Sequence, residues 1–142
     1  MSNNMVEADM TPAIKRTLVP KLRFPEFRDA GEWETKELSE LAVIINEKAG
    51  CNKYTLMSIS SGIGLVSQLE KFGREIAGAQ YKNYIVIRKN DFAYNKSATK
   101  EYPEGFIAIY SGTTPAAVPN SVFTCFRVDE CKVLPEYLCY LF

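Results

Sequence analysis

Five short apolar runs, each flanked by residues that favour turns, constrain the fold of this chain more than any other feature of its sequence. They are rich in β-branched and aromatic residues, which is typical of strands separated by turns. The runs are YTLMSIS (54–60), YIVIR (84–88), DFAYN (91–95), FIAIY (106–110) and SVFTCFRV (121–128). They predict a largely antiparallel sheet, and Lys89-Asn90 predicts a tight hairpin connection between the second and third strands.

Three other segments have the spacing or the start signals of helices. Residues 34–45 place apolar side chains at helical intervals after an acidic start, which suits the helix dipole. Phe72 and Ile76, four residues apart, predict a short helix in the middle of the chain. A third helix is expected to begin at Pro135, and because it stops on apolar residues without a cap, we interpret 135–142 as a truncated helix.

Length and composition favour a single globular α+β domain. A chain of 142 residues with 46% hydrophobic residues can bury a sizeable core, so we expect a curved, largely antiparallel β-sheet core with a few short helices. The polar residues 1–18 predict a flexible leader, 19–134 the domain, and 135–142 the start of the truncated helix. No secretory signal and no apolar run of about 18 residues is present, so the sequence predicts a cytoplasmic protein without a membrane partner.

The absence of histidine narrows the chemistry that the chain could perform. Without His the commonest general base is missing, and the four cysteines form no C-x-x-C pair, so we expect neither a hydrolase nor a metal site. Cys125 and Cys139 lie in apolar runs and are predicted to be small core residues. Gly62-Ile63-Gly64 has no third spaced glycine, which favours a turn between strands over a nucleotide-binding loop.

Charge is unevenly distributed along a chain whose totals balance at 17 basic and 17 acidic residues. Residues 71–100 carry seven basic groups against two acidic ones, a net charge of +5. A basic segment of this kind suits a phosphate-binding surface, since each neutralised phosphate releases counterions. The basic residues are Lys71, Arg74, Lys82, Arg88, Lys89, Lys96 and Lys100.

Two polar loops follow predicted strands and carry side chains that can bind nucleic acid. They are NKSATKEY (95–102) and SGTT (111–114). Amides, hydroxyls and amines of this kind contact phosphates and base edges. The predicted phosphate-contacting residues are Arg74, Lys82, Lys89, Lys96 and Lys100. The predicted base-reading residues are Asn95, Ser97, Thr99, Thr113 and Thr114. The alternative for each of them is an exposed loop position without a ligand.

The sequence resembles one known family. PKLRFPEF (20–27) followed by GEWETKELSELA (31–42) is similar to the opening of the specificity (S) subunit of type I restriction–modification systems. The order of the later strands and the helix start Pro135-Glu136-Tyr137-Leu138 resemble the rest of its target-recognition domain. The resemblance covers Val19 to Phe142.

The resemblance implies sequence-specific recognition of double-stranded DNA, with the domain reading one half of a bipartite target. It implies a non-catalytic protein whose partners are a methyltransferase (modification) subunit and a restriction endonuclease subunit. Those partner subunits would bind S-adenosylmethionine, ATP and Mg. A complete S subunit has two recognition domains joined by long helices, whereas this chain has one such domain and the first turns of a spacer helix.

Two other interpretations remain open from the residues alone. One is a protein–protein docking module of such a complex, without direct base readout. The other is an enzyme that works through carboxylates such as Asp91, Glu101 and Glu104, which would require one carboxylate with a raised pKa in a pocket.

Overall fold

The computed structural model of the protein describes three stretches of the chain, residues 19–60, 62–74 and 77–142. The chain divides into two compact units, Met1–Lys36 and Glu37–Phe142. The predicted leader, 1–18, lies outside the described residues, and so does Ile76 of the predicted middle helix.

The second unit is an α+β fold with two mostly antiparallel sheets and a few short helices, which confirms the predicted fold class at that level. The strands described are β1 (Ala42–Ile44), β2 (Thr55–Ser60), β3 (Gly64–Ser67), β4 (Ile85–Ile87), β5 (Phe92–Asn95), β6 (Phe106–Ile109), β7 (Ala116–Val118) and β8 (Phe123–Val128). The α-helices described are α1 (Leu38–Leu41), α2 (Gln68–Phe72) and α3 (Pro135–Cys139). Turns of 3₁₀-helix lie at Pro25–Phe27 and Tyr81–Asn83. No helix of the described residues has the length and apolar character needed to cross a membrane.

The strands form two four-stranded sheets instead of the one that the sequence predicts. The first sheet has the order β1-β8-β5-β6 and the second has the order β3-β2-β7-β4. All neighbouring strands are antiparallel except β2 and β7, which are parallel. As predicted, a turn at Gly62-Ile63-Gly64 joins two antiparallel strands, β2 and β3.

The predicted hairpin at Lys89-Asn90 is wrong, because β4 and β5 belong to different sheets. The turn exists, since the Asp91 N–H donates to the Arg88 carbonyl at 3.0 Å and Asn90 has a φ of 70°. It carries the chain from one sheet to the other, so a short turn between two strands does not by itself make them partners.

The segment 45–50 connects the two sheets in a second place. The Ile45 N–H donates to the carbonyl of Cys125 in β8 at 2.9 Å. Two residues later, the Glu47 carbonyl accepts the N–H of Val86 in β4, also at 2.9 Å. The chain therefore leaves the edge of the first sheet and runs along the free edge of β4 in the second.

Of the predicted helix over 34–45, only Leu38–Leu41 is helical, and the rest of the prediction is wrong. α1 has four residues, and it begins with a capping box in which the Glu37 N–H donates to the Glu40 carboxylate at 2.7 Å. Ala42–Ile44 instead forms β1 and pairs with β8. Pairing with β8 outweighs the local helical spacing here, because β-branched Val43 and Ile44 suit a strand.

The two later helices follow the predicted signals in part. α2 is one turn earlier than predicted, and its N-cap is Ser67, whose hydroxyl accepts the Glu70 N–H at 3.1 Å. It ends at Gly73, which adopts the left-handed conformation. α3 begins at Pro135, as predicted.

The main core contains buried side chains from both sheets, and Cys125 is one of them. A second cluster lies on the outer face of β8 and β5, where Leu138 of α3 packs with Phe92 and Phe126, whose stacked rings are 5.1 Å apart. Cys125 is buried as predicted, but the prediction for Cys139 is wrong, since its side chain is exposed. Successive residues of an α-helix point about 100° apart, and the buried residues of α3 are Pro135 and Leu138, so Cys139 faces away from the core.

Candidate nucleic-acid interface

Lys48 and Lys82 lie on two loops that are paired with each other. Lys48 forms an isolated antiparallel bridge with Ile85, the first residue of β4. The Gly50 N–H donates to the Lys82 carbonyl at 3.0 Å. Both lysine side chains are exposed. The pairing of segment 45–50 with β4 therefore brings together two cations that are 34 residues apart in the sequence.

Lys53 is held beside Lys82 by the hydroxyl of Tyr81. That hydroxyl donates to the Asn52 carbonyl at 2.7 Å and accepts the Tyr54 N–H at 2.8 Å. The two bonds fix the backbone on either side of Lys53 against the 3₁₀ turn that carries Lys82. Because Tyr81 satisfies one donor and one acceptor of the loop, the loop position is set by hydrogen bonds and not only by packing.

Lys96 joins this group through a cleft that it shares with Lys48. It follows β5, and its N–H donates to the Val122 carbonyl at 3.2 Å. The cleft has a volume of ≈ 240 Å³. Its other polar lining residues are Asn46, Asn120 and Thr124. We call Lys48, Lys53, Lys82 and Lys96 the basic rim.

The positive charge of the basic rim is not neutralised within the fold, because none of its lysines forms an ion pair with any residue that the structure describes. The carboxylate nearest in sequence, Glu47, is bound by Arg88 through two bonds of 2.5 and 2.9 Å. The hydrogen bond from Arg88 lowers the pKa of the Glu47 carboxyl. Glu47 is therefore ionised but already neutralised by Arg88, and it does not compete for Lys48.

Two cations counted in the basic segment are used inside the fold. Arg88 forms the pair with Glu47 just described. The Lys71 ammonium donates to the Ile59 carbonyl at 2.5 Å and lies 5.2 Å from the centre of the Phe72 ring. The net charge of 71–100 therefore overstates the charge available to a ligand, whereas Lys48 and Lys53, outside that segment, add to it.

Five of the predicted residues lie at the end of β5 and in the loop after it, and two of them stabilise the loop itself. The Asn95 side-chain oxygen accepts the Ser97 N–H at 2.9 Å. The Thr99 hydroxyl accepts the Tyr102 N–H at 3.0 Å. Lys100 is exposed in the same loop. Asn95 and Thr99 thus shape the loop with their oxygens, which leaves their donor groups for a ligand.

The remaining predicted residues lie away from the basic rim. Lys89 follows β4 whereas Lys82 precedes it, and the neighbouring Asn90 N–H donates to the Tyr110 carbonyl at 2.8 Å. Thr113 and Thr114 come shortly after Tyr110, at the end of β6 where Ile109 pairs with Phe92. These residues are separated from the Asn95 end by the length of β5, roughly 10 Å.

Arg74 is also apart from the rim. It follows α2, which contacts β2 and β3, while the rim lysines gather around the start of β4. Since β3 and β4 are at opposite edges of the second sheet, the sequence-predicted cations do not form one patch.

Asp91 belongs to the internal structure of the fold. Its carboxylate is fully buried and accepts bonds from the Arg127 side chain at 2.6 and 2.7 Å and from the Arg88 N–H at 2.7 Å. The hydrogen bond to Asp91 raises the pKa of the Arg127 guanidinium. Glu101 and Glu104 are exposed. Among the described residues no three His, Cys, Asp or Glu side chains group as metal ligands would.

A larger, apolar cleft of ≈ 490 Å³ lies within the first unit and includes Leu22, Phe24 and Trp33. Its only cationic lining residue is Arg23, which donates to the carbonyls of Phe27, at 3.1 Å, and Gly31, at 2.6 Å, as well as to that of Ala30. Since its guanidinium is used to fix this turn, the cleft does not offer a free cation to a phosphate.

No protein-family model, curated protein or solved structure matches the chain. The function is therefore argued from the geometry of the site.

Proposed function

We propose that this protein is a target-recognition domain that binds double-stranded DNA and reads one half of a bipartite target for a type I restriction–modification complex. The basic rim is the observation that carries the proposal. Four exposed lysines on adjacent loops, without carboxylate partners among the described residues, supply positive charge of the kind that binding a duplex backbone requires. The family-like segments 20–27 and 31–42 support the same function.

The rim and the side chains beside it would have different roles. The lysines would neutralise phosphates, which fixes the position of the domain on the duplex without selecting a sequence. The side chains of Asn95, Ser97 and Thr99, beside the rim, would supply the amide and hydroxyls that read base edges. One good bidentate contact of this kind discriminates between bases by about 1–3 kcal/mol.

In this proposal the domain performs no chemistry itself. The methyltransferase and endonuclease subunits would supply catalysis and bind S-adenosylmethionine, ATP and Mg. The domain would contribute the free energy of sequence-selective binding, which determines where on the DNA the partner subunits act. Arg74, Lys89, Thr113 and Thr114 lie away from the rim and would not contact the duplex in this proposal.

Binding of a labelled duplex, measured by fluorescence anisotropy at several salt concentrations, tests the proposal. Neutralising three or four phosphates gives a slope of log K against log salt of about −2.7 to −3.6. Lys82→Gln is expected to make the slope shallower by about 0.9. Lys89→Gln removes the same charge at the other end of β4 and serves as the matched control, with no change expected. Equal effects of the two variants would show that the rim is not the interface.

Selection from a random duplex pool tests the sequence-specific part. Enrichment of a short motif, altered by Ser97→Ala, is the expected result. If the chain retains no duplex at low salt but co-purifies with the methyltransferase subunit after nuclease treatment, it is a docking module and the proposal is wrong.

A further inference from the structure

The cleft beneath the basic rim has the composition of a site for an oxyanion. Its lining includes two lysines, two asparagines and one threonine, and no carboxylate. Its remaining walls are Ile44, Ile45, Ile85, Phe123 and Cys125. Apolar walls lower the local dielectric constant and strengthen the field of the two ammonium groups.

The two lysines that line this cleft start from fixed backbone positions. Lys48 is bridged to Ile85, and the Lys96 N–H is bonded to the Val122 carbonyl. Ile85 is buried in the core. The backbone is therefore set by the fold, and only the flexible side chains adjust to a ligand.

No carboxylate lines the cleft, so an anion between its two lysines would come from a ligand. Cys125, the one acidic group of the lining, does not supply that anion, because burial raises the pKa of its thiol to about 12. The amide groups of Asn46 and Asn120 and the Thr124 hydroxyl add three neutral donor groups. Five donor groups around a small cleft suit the several oxygens of a phosphate better than the two of a carboxylate.

We infer that Lys48 and Lys96 together bind one and the same phosphate group, and that this phosphate is a phosphodiester of the bound duplex. The inference rests on the proposed function and deepens it. A phosphodiester is favoured over free phosphate because Lys53 and Lys82 extend the positive charge beyond the cleft. A duplex backbone could contact these two lysines as well, whereas a single small ion in the cleft could not. Lys53 and Lys82 would then each contact a separate phosphate.

The salt dependence of DNA binding distinguishes one shared phosphate from two. Losing one phosphate contact changes the slope of log K against log salt by about 0.9. The double variant Lys48→Gln/Lys96→Gln is therefore expected to change the slope by about 0.9. The matched control is the double variant Lys53→Gln/Lys82→Gln, which removes the same charge outside the cleft and is expected to change it by about 1.8. A change of about 1.8 for the cleft pair would overturn the inference, since each lysine would then have its own phosphate.

Other outcomes distinguish a failure of the cleft inference from a failure of the proposed function. If the duplex binds but the cleft pair leaves the slope unchanged, the cleft inference fails and the proposed function stands. If the unmodified chain binds no duplex, the proposed function fails. Titration with inorganic phosphate then shows whether the cleft binds phosphate from another source. Saturable NMR shifts of the Asn46 and Asn120 amides, lost in the cleft pair, would support a phosphate site filled from another source. If the amide signals do not shift, the phosphate site is overturned.

Discussion

Replacing Arg127 by methionine is expected to destabilise the fold more than replacing its partner Asp91 by asparagine. The Asp91 side chain is wholly buried, with 0% exposed, whereas that of Arg127 is 47% exposed. Without Arg127, the Asp91 carboxylate keeps one donor, the Arg88 N–H at 2.7 Å. A buried charge left without its partner costs about 3–5 kcal/mol of the free energy of unfolding.

Asp91→Asn has a smaller expected cost because the partner that it leaves can reach water. The asparagine oxygen still accepts the Arg88 N–H, and the half-exposed Arg127 guanidinium turns towards solvent. The loss is then that of hydrogen bonds to a charged group, about 1.5–3 kcal/mol. In the double variant no charge is buried, so it is expected to be more stable than Arg127→Met alone.

Urea unfolding followed by circular dichroism measures all three variants against the unmodified chain. An equal or larger loss for Asp91→Asn than for Arg127→Met would refute the argument from burial. So would a double variant at least as unstable as Arg127→Met. Either result would show that the pair stabilises the crossing between the sheets through packing instead of charge.

Two further predictions concern the loop after β5 and the buried thiol. At Gly105 an added Cβ would lie 2.5 Å from the Asn95 carbonyl oxygen and 2.6 Å from the Tyr94 ring. Gly50 also has a positive φ, but an added Cβ there would have no neighbour within 4 Å. Gly105→Ala should therefore lower the free energy of unfolding, measured in urea, by about 1–3 kcal/mol more than Gly50→Ala does. The Cys125 pKa is raised to about 12 by burial, so its contribution to stability is complete below the pKa of an unfolded thiol, about 8.5, and is lost as the pH rises towards 12. The stability of the unmodified chain relative to Cys125→Ala should therefore fall above about pH 8.5, and a constant difference would contradict the burial of the thiol.

The strands were predictable where a run of β-branched and aromatic residues was long enough to stand out. β2, β5 and β8 are of this kind. β7 was missed because Ala116–Val118 has only three residues with small side chains. β1 was missed because its residues continue the helical spacing of the segment before it. Residues 42–44 form a strand because they pair with β8, and no local sequence pattern encodes that contact.

The candidate site was less predictable than the fold, for a related reason. The basic segment pointed to Lys82 and Lys96, but Lys48 and Lys53 carry no signal of their own. They reach the rim because segment 45–50 runs along the edge of β4. Charge counted along the sequence also included Arg88, whose partner Glu47 is 41 residues away. Pairing across the fold therefore both adds cations to the site and removes them from it.

The pairing of β1 with β8 also determines when this unit can fold during synthesis. Ala42 pairs with Val128, more than 80 residues later in the chain. At a synthesis rate of about 5–20 residues per second, β1 emerges roughly 4–17 s before its partner exists. Segment 45–50 can pair with β4 sooner, but the second sheet also needs β7, which pairs with both β2 and β4, so neither sheet can be completed before residues 116–128 have been made. The last pairing would be the insertion of β8 between β1 and β5, and until then the edges that these two strands present to β8 remain unpaired and open to proteases and chaperones.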